Sequence, residues 1–462
     1  MKVSHTIIAV VILALLGGVF YYLEQQPEPL SEEELARQDV FSFDAEQVEE
    51  FTMEAQGEQQ VTVRRAGAVE PAGEEAPAQA VAGEWEIVAP AEIAPDNDEI
   101  STFLSEIPNL QSTAVEGGGF ELSEYGLDSP QKTFRFQLRD GQTVALSLGD
   151  ENITGSSKYG KLDSSPDVFL IEMAGAAFLD KTLFDLRDKR AIPVAVDQAQ
   201  QIEVEFQEST QADRLVLTKQ QDGNWQLTEP EVRTDFGSSN YFVTTLSGAV
   251  MSAVEEEAPG AIGRYGLDQP AIRLTVQMPD GSSTNLRVGD QAGTESAYYA
   301  QNSVWPQVFR INQFTRDQLN QQLDNYRNRY LFDFETSNAR RVEILWSEGE
   351  MRLDKRGEEW FRAGTPEQMV ETAKVETFLN GVHALRIQQF TTDRAGQFAQ
   401  YGLNEPWMRV TVTYGEDNQE ETIVFARHDN RFYAARDGEL SVYEMSPEEP
   451  DNLEPKVRDL TS

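Results

Sequence analysis

Three near-identical hexapeptides punctuate the chain: "YGLDSP" at Tyr125–Pro130, "YGLDQP" at Tyr265–Pro270 and "YGLNEP" at Tyr401–Pro406. They stand 140 and 136 residues apart. A solenoid unit is far shorter, roughly 20–50 residues. In a chain of 462 residues, with about 150 residues to a domain, this spacing reads as one domain written three times.

The repetition reaches well beyond the hexapeptide. Each copy is predicted to open on a short strand: "FSFD" ending at Asp44, "VAVD" ending at Asp197, "FDFE" ending at Glu335. A second strand starts at Val48, Ile202 or Val342, and a hairpin partner follows ("VTVRR", "LVLTK", "MRLDK"). Apolar and polar side chains alternate in these runs, as in half-buried antiparallel strands. Each copy then has a tryptophan: Trp85, Trp225 and Trp360, lying 40, 40 and 41 residues before its tyrosine. So constant a spacing predicts that tryptophan and hexapeptide pack together as one unit.

Between them lies an amphipathic helix. In copy one Ile100, Phe103, Leu104 and Ile107 recur at i, i+3, i+4 and i+7, with Asp96 or Asp98 as the N-cap. Val375, Phe378, Leu379 and Val382 form the stripe of copy three, and Phe242, Leu246, Ala249 and Val250 that of copy two. These stripes are core, not ligand boxes.

The hexapeptide reads as a stereotyped entry into a strand. Gly126, Gly266 and Gly402 suit a turn with positive φ. Asp128, Asp268 and Asn404 are placed to bond the local backbone. Pro130, Pro270 and Pro406 open an extended segment. Tyr125, Tyr265 and Tyr401, with Leu127, Leu267 and Leu403, pin the turn to the sheet. A hairpin follows, with turn signals at Asp140-Gly141 and Asp280-Gly281. It closes on a Gly-Asp corner that becomes Ala426-Arg427 in copy three. Further strands lead to a helix marked at its end by Arg187, Arg327 or Arg458. An insertion at 66–83, rich in Ala, Pro, Gly and Glu and free of aromatics, reads as disordered.

Thr6 to Leu23 is an uncharged run of 18 residues. As a helix it spans about 27 Å, close to the ~30 Å hydrocarbon core of a bilayer. Lys2 precedes it; Glu24, Glu28 and Glu32 to Glu34 follow. The positive-inside bias leaves the tip in the cytoplasm and exports the rest. No small-x-small site follows the run, so an uncleaved anchor is expected rather than a signal peptide. Glu24 to Val40 then forms an acidic tether.

Net charge is −41, which excludes a nucleic-acid partner, because phosphate binding needs a basic face. No cysteine is present and only three histidines, so thiolate chemistry and a three-histidine metal site are excluded. Asp150, Asn152, Thr154 and Gly155 resemble the start of a calcium loop, but Lys161 stands where its bidentate glutamate belongs. "EGGGF" at Glu116–Phe120 follows no phosphate-loop pattern. No residue is assigned a catalytic, cofactor-binding or metal-binding role.

The ordered set of strand pair, W-x-x-x-x-P, helix, YGL-D-x-P, hairpin ending L-G-D and L-R-D resembles the bacterial family known as domain of unknown function 4340. The resemblance implies a membrane-anchored envelope component. It also implies an association with ABC transporter subunits similar to gliding-motility auxiliary proteins.

The expected class is α+β: three tandem duplicated domains of antiparallel sheet plus helices, behind one N-terminal transmembrane helix. The expected order is a cytoplasmic tip (1–5), anchor (6–23), linker (24–40) and repeat domains at 41–191, 192–329 and 330–462. The expected function is that of a non-enzymatic accessory or scaffold protein on the outer side of the bacterial inner membrane. An envelope hydrolase using carboxylates, or a binding module for a cationic or polymeric ligand, are the alternatives. An alkaline phosphatase fused after Val40 is expected to be active and a cytoplasmic reporter there silent; the reverse pattern overturns the orientation.

Overall fold

The computed structural model describes residues 37–67, 85–115, 121–294, 296–364, 368–394 and 396–460. The chain divides into two compact units, Met1–Lys189 and Arg190–Ser462. Among the described residues, mostly antiparallel strands form three sheets accompanied by six α-helices. The class is α+β.

The first unit holds one sheet. Its strands are β1 (Arg37–Asp39), β2 (Val48–Ala55), β3 (Val61–Arg65), β4 (Trp85–Ala89), β5 (Gln111–Ala114), β6 (Lys132–Leu138), β7 (Thr143–Glu151), β8 (Ser157–Leu162) and β9 (Phe169–Glu172). Helix α1 (Asn97–Glu106) and the single turn α2 (Leu183–Leu186) accompany it. The strand order is β1-β5-β9-β8-β7-β6-β2-β3-β4.

The second unit holds two sheets. One comprises β10 (Gln201–Phe206), β11 (Arg214–Lys219), β12 (Trp225–Glu229), β13 (Ala253–Glu256), β14 (Ile272–Gln277), β15 (Ser283–Gln291), β16 (Ala297–Asn302) and β17 (Val308–Asn312), with α3 (Phe236–Ser247) and α4 (Gln313–Leu319). The other comprises β18 (Ala339–Trp346), β19 (Gly349–Arg356), β20 (Glu359–Arg362), β21 (Met369–Val370), β22 (Ile387–Thr392), β23 (Met408–Tyr414), β24 (Gln419–His428), β25 (Arg431–Arg436) and β26 (Val442–Met445), with α5 (Thr372–His383) and α6 (Glu448–Asp459). Their orders are β12-β11-β10-β14-β15-β16-β17-β13 and β21-β20-β19-β18-β23-β24-β25-β26-β22. All three sheets share one path from the tryptophan strand to the strand after the long helix; the first adds β1 beyond β5 and the third adds β21 beyond β20.

Alternation sets the inner face. Ile202 on β10 has Leu217 and Val276 as its cross-strand partners, and Val204 has Leu215 and Leu274. All six are buried. The long helix covers this face. Asp96 caps α1 by accepting from the Glu99 N–H at 3.1 Å, and Ile100, Phe103 and Leu104 of α1 enter the core with Phe51, Phe134 and Phe136. Val375, Phe378, Leu379 and Val382 of α5 do the same in the third sheet. In α3 the buried stripe is Ser239, Phe242, Val243 and Leu246. Ala249 and Val250 lie past its end, and Val250 is 44% exposed, because the helix stops at Ser247.

The three opening tetrapeptides are not strands. Phe41–Asp44, Val194–Asp197 and Phe332–Glu335 run irregularly into 3-10 turns. Their apolar side chains, among them Phe41, Phe43, Val196, Phe332 and Phe334, are buried. A core position alternates like a strand even where no neighbouring strand joins the ladder.

Tryptophan and hexapeptide also part company. Trp85, Trp225 and Trp360 are buried on or beside outer strands of the helix-covered face. The YGL turn closes the other face. On β24, Ile423 and Phe425 point into the helix-covered core, while Val424 and Ala426 meet Tyr401, Leu403 and Tyr433. The motif tyrosine rests on a second tyrosine each time: Tyr125 on Tyr159 at 4.7 Å, Tyr265 on Tyr299 at 4.8 Å, Tyr401 on Tyr433 at 4.9 Å. The constant spacing therefore measures the path around the sheet, not a contact.

The turn glycines have φ of 67°, 71° and 72° at Gly126, Gly266 and Gly402. The Gly-Asp corner explains itself by close approach. A Cβ on Gly289 would stand 2.1 Å from the Tyr265 carbonyl oxygen, and one on Gly149 would stand 2.0 Å from that of Tyr125. The calcium-like stretch is the turn between β7 and β8, where Asn152 Oδ1 accepts from the Ser156 and Ser157 N–H groups and from the Thr154 hydroxyl.

The tryptophan strands carry side-chain caps on outward donors. Asn97 Oδ1 accepts from the Trp85 N–H at 2.7 Å, and Asn240 Oδ1 from the Trp225 N–H at 2.9 Å. Thr234 Oγ1 accepts from the Leu227 N–H at 3.1 Å.

No helix among the described residues is long and apolar enough to cross a membrane. The apolar run at 6–23, nearly all of the insertion at 66–83 and the stretch Glu116–Phe120 lie outside those residues.

Gly289→Ala is expected to destabilise the second sheet by roughly 1–3 kcal/mol through overpacking against the Tyr265 carbonyl. Gly402→Ala, whose Cβ meets nothing nearer than 3.6 Å, is expected to cost only the left-handed backbone penalty of about 1–2 kcal/mol. Urea unfolding followed by tryptophan emission checks both, and an unchanged midpoint in Gly289→Ala refutes the close-approach account.

Candidate functional site

Within the second unit a short strap, Arg327–Tyr330, runs between the second and third sheets. Aromatic burial fixes both ends. Tyr326, just before it, is buried edge-on against Phe242 at 5.4 Å. Leu331, Phe332 and Phe334, just after it, belong to the core of the third sheet. The strap's backbone is paired on both edges. On one side Arg327 bridges Thr234, and the Asn328 N–H donates to the Arg233 carbonyl at 2.8 Å. On the other Tyr330 bridges Arg386, and the Ile387 N–H donates to the Arg329 carbonyl at 2.8 Å.

Arg327 is only 5% exposed. Its guanidinium donates to both oxygens of Asp393, at 2.8 and 2.6 Å, and stacks 3.9 Å above the Phe390 ring. The Ser441 hydroxyl donates to the same carboxylate at 2.6 Å. Asp324 lies 3.8 Å away on the other side. Arg233 forms a second tie: it donates to the Tyr330 carbonyl at 2.7 Å, pairs with Asp333 and lies 3.7 Å from Glu439. Arg436 completes it from β25, pairing with Glu439 at 2.9 Å and with Asp333 at 3.4 Å.

These groups surround a groove of about 1430 Å³. Phe236, Tyr330 and Leu440 stand exposed along it. Its two central carboxylates titrate in opposite directions. Burial alone would raise Asp393, but the bonds from Arg327 and Ser441 outweigh it and hold the group below the usual carboxylate range. Burial raises Asp324, the charge of Asp393 adds to it, and Arg327 and Arg329 only partly offset it. Burial likewise pushes the Tyr443 phenol well up, with help from its hydrogen-bonded neighbour Glu439. Among the described residues no group of three or more His, Asp or Glu side chains is placed to hold a metal ion.

Of the residues marked in the sequence, only Arg327 lines this groove. Arg187 has the same local setting in the first unit: it is 2% exposed and bridges Pro95, just as Arg327 bridges Thr234. Arg458 is not their third counterpart. Its side chain is 57% exposed and pairs with Glu348 at 2.8 Å and Glu454 at 2.9 Å. Helix α6 continues to Asp459, so this arginine sits in the last turn, at a helix end as the sequence reading expects, but on an open face, whereas Arg187 follows its helix. Asp393, Phe390, Ser441 and Arg233 escaped the sequence reading. Arg187 and Arg327 each lie 61 residues after their motif glycine, Gly126 or Gly266, and that equality is the one sequence signal that points here.

The three-fold pattern defines a repeat protein whose recurring residues serve the fold. The model of the family described as "Domain of unknown function (DUF4340)" matches residues 85–235, 225–396 and 360–461, and the chain belongs to that family. Each match begins at a motif tryptophan, and the first two run on into the opening strands of the following sheet. No curated protein and no solved structure matches the chain.

Asp393→Asn leaves the buried Arg327 without its bidentate charge partner. Discounted for solvent at Asp393, the expected loss is roughly 1–2 kcal/mol at pH 7. Asp324→Asn is expected to be neutral or slightly stabilising at pH 7, since it removes a carboxylate that burial disfavours. A depressed pKa gives stability that is present above the unfolded value, about 3.9, and lost as pH falls through the folded one. The acid loss of stability is therefore expected to shrink in Asp393→Asn. Urea midpoints at pH 7 and pH 3 check this, and equal losses for the two variants refute it.

Proposed function

We propose that this chain is a membrane-anchored, exported accessory protein of the bacterial inner membrane, acting as a scaffold beside an ABC transporter of the gliding-motility type. The observation that carries the reading is the use to which the groove's charges are put. Arg327 and Asp393 are locked to each other, to Phe390 and to Ser441, which fits a brace better than a reacting centre. The recurring residues, from the tryptophans to the YGL turns, support the same reading, because each has a packing or turn role. The uncharged run at 6–23 supplies the anchor. The first sheet takes Arg37–Asp39 as β1, which shortens the expected linker to 24–36; such a tether reaches at most about 45 Å, which keeps the first repeat close to the bilayer.

One observation favours a hydrolase instead. Asp324 and Asp393 share a concave site and are driven apart in pKa, a pattern found in acid–base pairs. The experiment separates the two. The full chain is used as bait on solubilised membranes, and transporter subunits are expected to co-purify, with recovery lost on deletion of the second and third repeats. Failure to recover them, together with turnover of envelope polymer that Asp324→Asn abolishes, replaces the scaffold with the enzyme.

A further inference from the structure

We propose that the strap Arg327–Tyr330 is a latch that makes the second and third repeats one rigid body, with Arg327 as its keystone. The inference rests on geometry and holds whatever the chain binds. A flexible linker between domains is solvated and shares few bonds with either side. This segment is the opposite. Its backbone is hydrogen-bonded to the second repeat along one edge and to the third along the other. Buried aromatic residues flank it in both cores. Arg327 belongs by sequence to the second repeat, yet its charge is neutralised by Asp393 and its plane is stacked on Phe390, both in the third. A bidentate arginine pair fixes orientation as well as distance. The Arg233 ties to Asp333 and Glu439 span the same joint from a second direction, so both bending and twisting are opposed.

The consequence concerns recognition. Two docking surfaces on a floppy joint must be ordered when both are engaged, and that ordering costs affinity. Held at one spacing, they act as a preorganised bivalent surface with a high effective concentration for the second contact.

The chain has no cysteine, so spin labels can be placed without background. Labels at Ser283→Cys and Glu416→Cys, both on exposed residues beside the hairpin turns of the two repeats, report the distance across the joint in the full chain. One narrow distance distribution is expected. Arg327→Met and, more gently, Asp393→Asn are expected to broaden it at least twofold while the far-ultraviolet circular dichroism is retained. Arg187→Met, an equally buried arginine outside the strap, is expected to leave it unchanged. A broad distribution in the parent overturns the proposal without any variant. A width unchanged by both strap variants, or broadened equally by Arg187→Met, overturns it as well.

Discussion

Each of the three sheets has an apolar face that a single long helix must cover, and the rest of the architecture answers to that requirement. A sheet eight or nine strands wide is broader than one helix of about 10 Å diameter. The remainder is filled by phenylalanines that precede the second strand, by the tryptophan on an outer strand and, in the third repeat, by Leu453 and Val457 of the terminal helix. The opposite face needs less. A compact turn with one leucine and one tyrosine-on-tyrosine contact serves it. The hexapeptide can therefore be short, and in the first two repeats the corner glycines beneath it, Gly149 and Gly289, cannot easily be replaced, because the carbonyl of the motif tyrosine comes too near for a side chain.

The elements legible in the sequence were those with a period or a turn chemistry. The alternation at Ile202 and Val204, the helical stripe at Ile100, Phe103 and Leu104, and the left-handed glycines all emerge where local preference and tertiary packing agree. The misreadings share one cause. Phe41 and Phe43 alternate because they fill a core, and nothing in an isolated alternation says whether a neighbouring strand is within reach. The tryptophan-to-tyrosine interval is constant because the path between them is, although it leads from one face of the sheet to the other. The groove was nearly silent. Asp393 sits in an ordinary polar turn, and its partner lies 66 residues upstream. No periodic pattern encodes a contact made between two repeats.

The placement of charge also separates the repeats from their joint. Most carboxylates in this acidic chain lie on solvated faces, where ion pairs contribute little. The joint between the second and third repeats concentrates arginines instead, each matched to a carboxylate, a carbonyl or an aromatic ring. Arg386 over Tyr330 at 3.2 Å shows the same preference for pairing guanidinium with a ring face. Guanidinium tolerates such burial better than ammonium, being planar and weakly hydrated.

The side-chain caps on the tryptophan strands bear on how copies of such a chain meet at high concentration. An open outer strand offers its free amide hydrogens to any passing strand. With the Trp85, Trp225 and Leu227 donors already engaged by Asn97, Asn240 and Thr234, zippering of one molecule onto the next has no donors to start from at these positions. At these positions a neighbouring copy finds no template from which to extend the sheet.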